Sequence, residues 1–124
     1  MNFPATLGIP NYEFRLVFGR TTIDYDLDKD DSNRTKHNYS LESAVFLLRR
    51  LILPTSTKSY FVTHDAFSKN NEIRHKHMTV DDNSQIVFMV TTMRPEETVR
   101  VISLRKASIT ERKEFTRLTG YVQP

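Results

Sequence analysis

The residues best suited to chemistry stand near the end of the chain. The stretch "RVISLRKASITERKEF", Arg100 to Phe115, carries a β-branched segment directly into Arg105-Lys106 and then, with no turn residue between, into a helix start. Two adjacent cations held rigid on both sides suit an anion better than they suit packing, and a guanidinium fork matches phosphate oxygens. In "NEIRHKHMTV", strand alternation puts Arg74, Lys76 and Met78 on one face, and it sets Arg105 on a face with Val101 and Ser103. A cluster of such forks stabilises the dianionic phosphorane of RNA transesterification. The same arginines are equally the material of structural salt bridges, and residue types alone favour that account.

Other candidates are weaker. His37 follows Lys36 at the end of a short helical stretch. Imidazole exchanges protons near neutral pH, so His37 is a candidate acid or base, although a histidine there is more often a partner of the helix C-terminus. His75 and His77, at i and i+2, share one face and have metal-ligand spacing, but a third ligand is wanting. Two histidines on a solvent-facing strand edge are the expected arrangement, and no metal site is assigned. Three scattered glycines make no phosphate loop, and neither H-E-x-x-H nor a nucleophile elbow occurs.

These residues need a scaffold. "EFRLVFGRTTIDYD" predicts a hairpin about Gly19-Arg20, with Leu16 opposite Ile23, Phe14 opposite Tyr25 and Arg15 opposite Asp24. "DLDKDDSNRTKH" predicts a surface helix with Asp26 as N-cap. In "SLESAVFLLRRLI" Ser40 caps a stronger helix whose Leu41, Ala44, Val45, Leu48 and Ile52 keep helical spacing, and Pro54 ends it. A short strand at residues 59–62, a polar loop "THDAFSKNN", and three antiparallel strands follow. Of these, "QIVFMVTT" is apolar on both faces and so central. Ser108 and Glu111 form a capping box, and Gly120 closes the last helix. The order ββααββββα gives an α+β fold, helices packed on an antiparallel sheet.

The totals set bounds. One domain fits 124 residues, and with 38% hydrophobic and 27% charged residues the composition is that of an ordinary globular chain. Without cysteine there is no disulfide or thiolate metal site, and with no apolar run long enough for a membrane span or leader a cytoplasmic protein is expected. The net charge of +3 is mild but uneven. Asp24, Asp26, Asp28, Asp30 and Asp31 crowd one segment. Residues 99–124 hold Arg100, Arg105, Lys106, Arg112, Lys113 and Arg117 against Glu111 and Glu114, a bias toward an acidic partner such as nucleic acid.

Two ordered motifs now resemble a known family. The stretch from Ile23 to His37, I-D-Y-D-x-x-K-x-x-x-N-x-x-K-H, followed by Ser40 and Ala44, is similar to the opening of the BrnT toxins. "VRVISLRKASITERKEF" is similar to that family's last strand and helix, and the middle strands match between them. The likeness covers about residues 23–117. It implies a RelE-like fold and the toxin of a type II toxin–antitoxin pair: an endoribonuclease that needs no metal or other cofactor and inhibits translation. It implies a ribbon-helix-helix antitoxin of the BrnA kind as partner, an RNA substrate, and operator DNA reached only through the antitoxin. Position by position, Asp26, Lys29, Asn33, Lys36, His37, Arg74, Ser103, Arg105 and Lys106 match the family's polar residues. The catalytic assignment is Arg74 and Arg105 for phosphate and transition-state charge, with His37, or Lys36 in its place, for proton transfer. Lys106, Lys29 and Arg100 are the RNA-binding residues. The expected domains are a leader and extra strand (1–22), the toxin domain (23–120) and a tail (121–124). Thr79 and Asn38 stand where the family has glycine. The alternative is a catalytically silent toxin fold that binds the antitoxin and acts as co-repressor. The nuclease reading expects Arg74 and Arg105 to converge in one solvent-open anion pocket.

Overall fold

Nonlocal strand pairing organises the chain. The computed structural model describes residues 22–52, 60–64, 66–69, 71–96 and 98–124, the side chains of 51 and 52 excepted. The elements are β1 (Thr22–Tyr25), α1 (Leu27–His37), α2 (Leu41–Ile52), β2 (Phe61–Thr63), β3 (Phe67–Lys69), β4 (Glu72–Val80), β5 (Ile86–Arg94), β6 (Thr98–Lys106) and α3 (Ile109–Thr119). They make an α+β fold around one six-stranded sheet, ordered β1-β6-β5-β4-β2 with β3 also on β4. The leader and the first strand of the expected hairpin lie outside the described residues. β1 pairs in parallel with β6, Ile23 beside Val99 and Asp24 beside Arg100. Part of the stretch expected as a polar loop forms β3, antiparallel to β4.

β5 is central, as its two apolar faces predict. Val87 and Met89 join Ile23, Leu41, Ala44, Leu48, Val99, Val101 and Leu104 in a core under α2. Ile86 and Phe88 point the other way, to Met78, Ala107 and Phe115 of α3. Phe115 is the one fully buried side chain of α3, so truncating it to alanine would cost about 3–5 kcal/mol. Ser108 and Glu111 cap α3 reciprocally, and Gly120 ends it at φ 80°, a conformation that a residue with a Cβ adopts only under strain.

α1 is held by polar rather than apolar contacts. Asp26 caps it by accepting from the Asp28 and Lys29 amides, and Asn38, at φ 61°, ends it in the left-handed conformation. Its buried residues are Asp30 and Asn33. Asp30 accepts the Leu41 amide at 2.7 Å, tying the start of α2 to α1. Asn33 donates to the Leu104 carbonyl at 2.7 Å and accepts the Leu104 amide at 3.1 Å. Its amide side chain thus pairs with the edge of β6 beyond the end of β1, as a neighbouring strand would, and leaves neither backbone group unpaired.

A bulge governs the site. Val90 pairs with Ser103 but Thr91 pairs with Val101, so Ile102 is the extra residue on β6. The insertion reverses the alternation. Val101 and Leu104 therefore share the α2-side core, and Arg105 turns to the α3 side over Phe88. The expected common face of Arg105 and Val101 is not formed, whereas Arg105 and Ser103 do share one.

Candidate nucleic-acid interface

The α3 side of the sheet is apolar at one end and cationic at the other. Across the cationic end, one row of paired residues reads Arg74 on β4, Thr92 on β5, Arg100 on β6 and Asp24 on β1. The next row reads Lys76, Val90 and Ser103, and the next Met78, Phe88 and Arg105. Arg94, at the end of β5, pairs with Glu72 at 3.5 Å. Lys76 and Arg94 are exposed, and the side chains of Arg100 and Arg105 are about a third exposed.

Each arginine in these rows is held by a carboxylate along one edge. Arg105 Nη1 and Nη2 donate to Glu111 Oε1 and Oε2 at 2.7 and 2.8 Å, and Nη1 also donates to the Lys106 carbonyl. The guanidinium lies 4.2 Å from the Phe88 ring centroid. Glu111 meanwhile accepts the Ser108 amide, so one carboxylate both caps α3 and aims Arg105. Hydrogen bonds from Arg105 hold its carboxyl below the usual carboxylate range, against the opposing effect of burial. Arg100 donates from Nε and Nη2 to Asp24. Arg74 meets Glu72 through Nε and Nη2, both at 3.1 Å.

A guanidinium has five N–H groups, and these pairs leave some without a partner among the described residues. For Arg105 the Nε–Nη2 edge remains, a complete fork for two phosphate oxygens. For Arg100 the Nη1 side remains.

The sequence-predicted residues are only partly brought together. Arg74 stands opposite Thr92 and Arg105 opposite Phe88. With β5 between them and four residues of offset, their Cα atoms are about 16 Å apart at ordinary strand spacings. They share a face, but the single anion pocket expected of them is not formed. The Arg74 side chain is only 10% exposed. Alternation also separates Lys106 from Arg105: Lys106 pairs with Val87 of the α2-side core. His37, Lys36 and Lys29 belong to α1 on the flank of β6, and no described side chain bonds to theirs. His37, one turn beyond Asn33, is thereby carried toward the end of β6 rather than onto the arginine face.

Sequence reasoning missed the carboxylates. Glu72, two residues before Arg74 on the same strand, was legible from alternation alone. Glu111 stood out as a cap but not as the partner of Arg105, six residues earlier. Asp24 could not be matched to Arg100 because their pairing is a parallel, nonlocal one.

The histidines differ from expectation. His75 is 1% exposed and His77 fully buried, because β4 is paired on both sides. His77 Nδ1 lies 3.0 Å from Thr63 Oγ1 and Nε2 lies 2.7 Å from Thr91 Oγ1. Among the described residues no group of three or more histidines and carboxylates could hold a metal ion, and no helix is long and apolar enough to cross a membrane.

The fold has a counterpart among solved structures. The crystal structure of the Brucella abortus ribonuclease toxin BrnT has a similar fold, with a TM-score of 0.50 and 20% identity over 71% of this chain and 97% of that one. Comparison with curated protein sequences gives no match. The family model described as "Ribonuclease toxin, BrnT, of type II toxin-antitoxin system" matches residues 25–111. That match takes in most of the fold from the end of β1 onward, including Arg74, Arg100, Arg105 and the carboxylate of Glu111, and the chain belongs to the BrnT family of ribonuclease toxins of type II toxin–antitoxin systems.

Proposed function

We propose that this chain is an endoribonuclease that cuts RNA without a metal ion, so inhibiting translation, and that a ribbon-helix-helix antitoxin of the BrnA kind silences it and alone brings it to operator DNA. The observation that carries the site assignment is the open Nε–Nη2 fork of Arg105, aimed by Glu111 at the end of β6. In such a cleavage the ribose 2′-oxygen attacks phosphorus and the bond from phosphorus to the 5′-oxygen breaks. A 2′,3′-cyclic phosphate and a 5′-hydroxyl result. The 2′-proton goes to a base and an acid protonates the leaving oxygen. Arg105 faces the charge that gathers on the phosphorane oxygens.

Arg100, with its own open side, and the exposed Lys106 and Lys29 hold flanking phosphates. Arg74, too far from Arg105 to share its phosphate, braces its own end of the sheet through Glu72. Proton transfer is assigned to His37, with Lys36 as competitor, at RNA that crosses the end of β6. One feature favours a silent, antitoxin-binding module instead: Arg74, Arg100 and Arg105 each already hold a carboxylate.

Cleavage of labelled RNA by the purified protein in EDTA separates these readings. Wild type is expected to cut. Arg105→Ala is expected to cut about a hundred- to a thousandfold more slowly, the usual loss for one preorganised donor. Arg105→Lys, which keeps charge without the fork, should recover little. Full cleavage by folded Arg105→Ala refutes the site, and cleavage that requires added Mg²⁺ refutes metal independence. Growth arrest relieved by the adjacent gene's product tests the antitoxin.

A further inference from the structure

Phe67 stands apart from the two apolar cores of the described residues. It lies on β3 opposite Arg74, half-buried. Its neighbours on that face are the cationic rows, and the Lys76 ammonium sits over its ring, 4.9 Å from the centroid. A half-exposed aromatic ring on a sheet face that also carries cations is the composition with which proteins hold single-stranded nucleic acid: the ring stacks on a base while the cations follow the backbone.

We propose that Phe67 and Lys76 form a base-stacking subsite for single-stranded RNA, an inference that rests on the ribonuclease reading above. Three strand spacings and four residues separate Phe67 from Arg105 in the ladder, about 20 Å between Cα atoms at ordinary strand dimensions. That diagonal passes Lys76 and Ser103 and has room for a footprint of about four nucleotides, the low end of the range for single-strand platforms. The base at its far end stacks on Phe67 and displaces the Lys76 ammonium, which moves to the neighbouring phosphate. A duplex cannot follow, since its bases are already stacked and paired, and its second row of phosphates would lie against Glu72 and Asp24.

The chain contains no tryptophan, so Phe67→Trp supplies a single fluorescent reporter at the subsite. Titration with an uncleavable 2′-O-methyl octanucleotide of unstructured sequence is expected to quench it, and a blunt hairpin of equal length is not. In turnover, Phe67→Ala should raise KM for the unstructured octanucleotide about tenfold with little change in kcat, and leave KM for a dinucleotide unchanged. Phe67→Trp should restore KM. No quenching and an unaltered KM, while cleavage still depends on Arg105, overturn the subsite alone. Equal quenching by hairpin and single strand overturns the preference for single strands. If wild type neither cleaves nor binds any RNA, the ribonuclease reading falls and the subsite with it.

Discussion

Lowering the pH from 7 to 5 should strip the protein of a large part of its stability through two buried imidazoles. Burial lowers the pKa of His75 from 6.5 to about 4. For His77 burial comes first, then the like charges of His75 and His64, and the value falls to about 3. Unfolded, both groups return to the ordinary value and take up protons. Their neutral, buried forms therefore favour the folded state fully above about pH 6.5. That advantage is lost as pH falls, and it is gone below the folded-state values. At pH 5 each unfolded imidazole lies about 1.5 pH units below its pKa, worth roughly 2 kcal/mol, so the pair costs about 4 kcal/mol. Set against a typical domain stability of roughly 5–15 kcal/mol, that is a serious loss. The melting temperature should drop by roughly 10–20 °C. Carboxylates held low by ion pairs, such as Glu111, lose their contribution only at more acid pH, so this interval isolates the histidines. Urea unfolding at half-unit pH steps measures the effect, and His77→Gln should remove about half the slope. A stability flat between pH 7 and 5, or the imidazole of His75 or His77 titrating near 6.5 in the folded state by NMR, would refute the reasoning.

Two further outcomes follow from hydrogen bonds that hold the scaffold. Asn33→Ala should destabilise the protein by about 3 kcal/mol in urea unfolding, because it strands buried backbone groups of Leu104 as well as the Tyr39 carbonyl; a loss under about 1 kcal/mol would show that water replaces the amide. Ser108→Ala should cost about 1 kcal/mol as a lost cap. RNA cleavage should stay near that of wild type, since the Ser108 backbone amide that holds the Glu111 carboxylate is kept and only the Oγ acceptor of the Glu111 amide is lost; a loss of cleavage out of proportion to stability would show that the cap itself aims Arg105.

What could be read in the sequence was local. The caps at Asp26, Ser40 and Ser108 and the apolar stripe of α2 from Leu41 to Leu48 depend on residues a few positions apart. Each is found as expected. The doubly apolar β5 announced its central place for the same reason. What could not be read was set by partners distant in the chain. Nothing in "VRVISLRK" marks Ile102 as an inserted residue, yet that one residue moves Arg105 to the other face of the sheet. His75 and His77 look like surface residues by polarity, and it is the pairing of β4 on both sides that buries them, with Thr63 and Thr91 as hydrogen-bond partners of His77. Asp30 and Asn33 likewise have the character of a solvated helix, while their partners, Leu41 and Leu104, lie in another helix and in the sheet.

The Asn33 amide has a consequence for assembly. An open strand margin invites another chain to add itself by backbone pairing, whether a partner or a second copy on the way to aggregation. At Leu104 that invitation is withdrawn, since both backbone groups are already occupied by a side chain. Mutating Asn33 would therefore do more than weaken the monomer: it would uncover a docking line beside the residues proposed to meet RNA, and self-association would then compete for the same border of the protein.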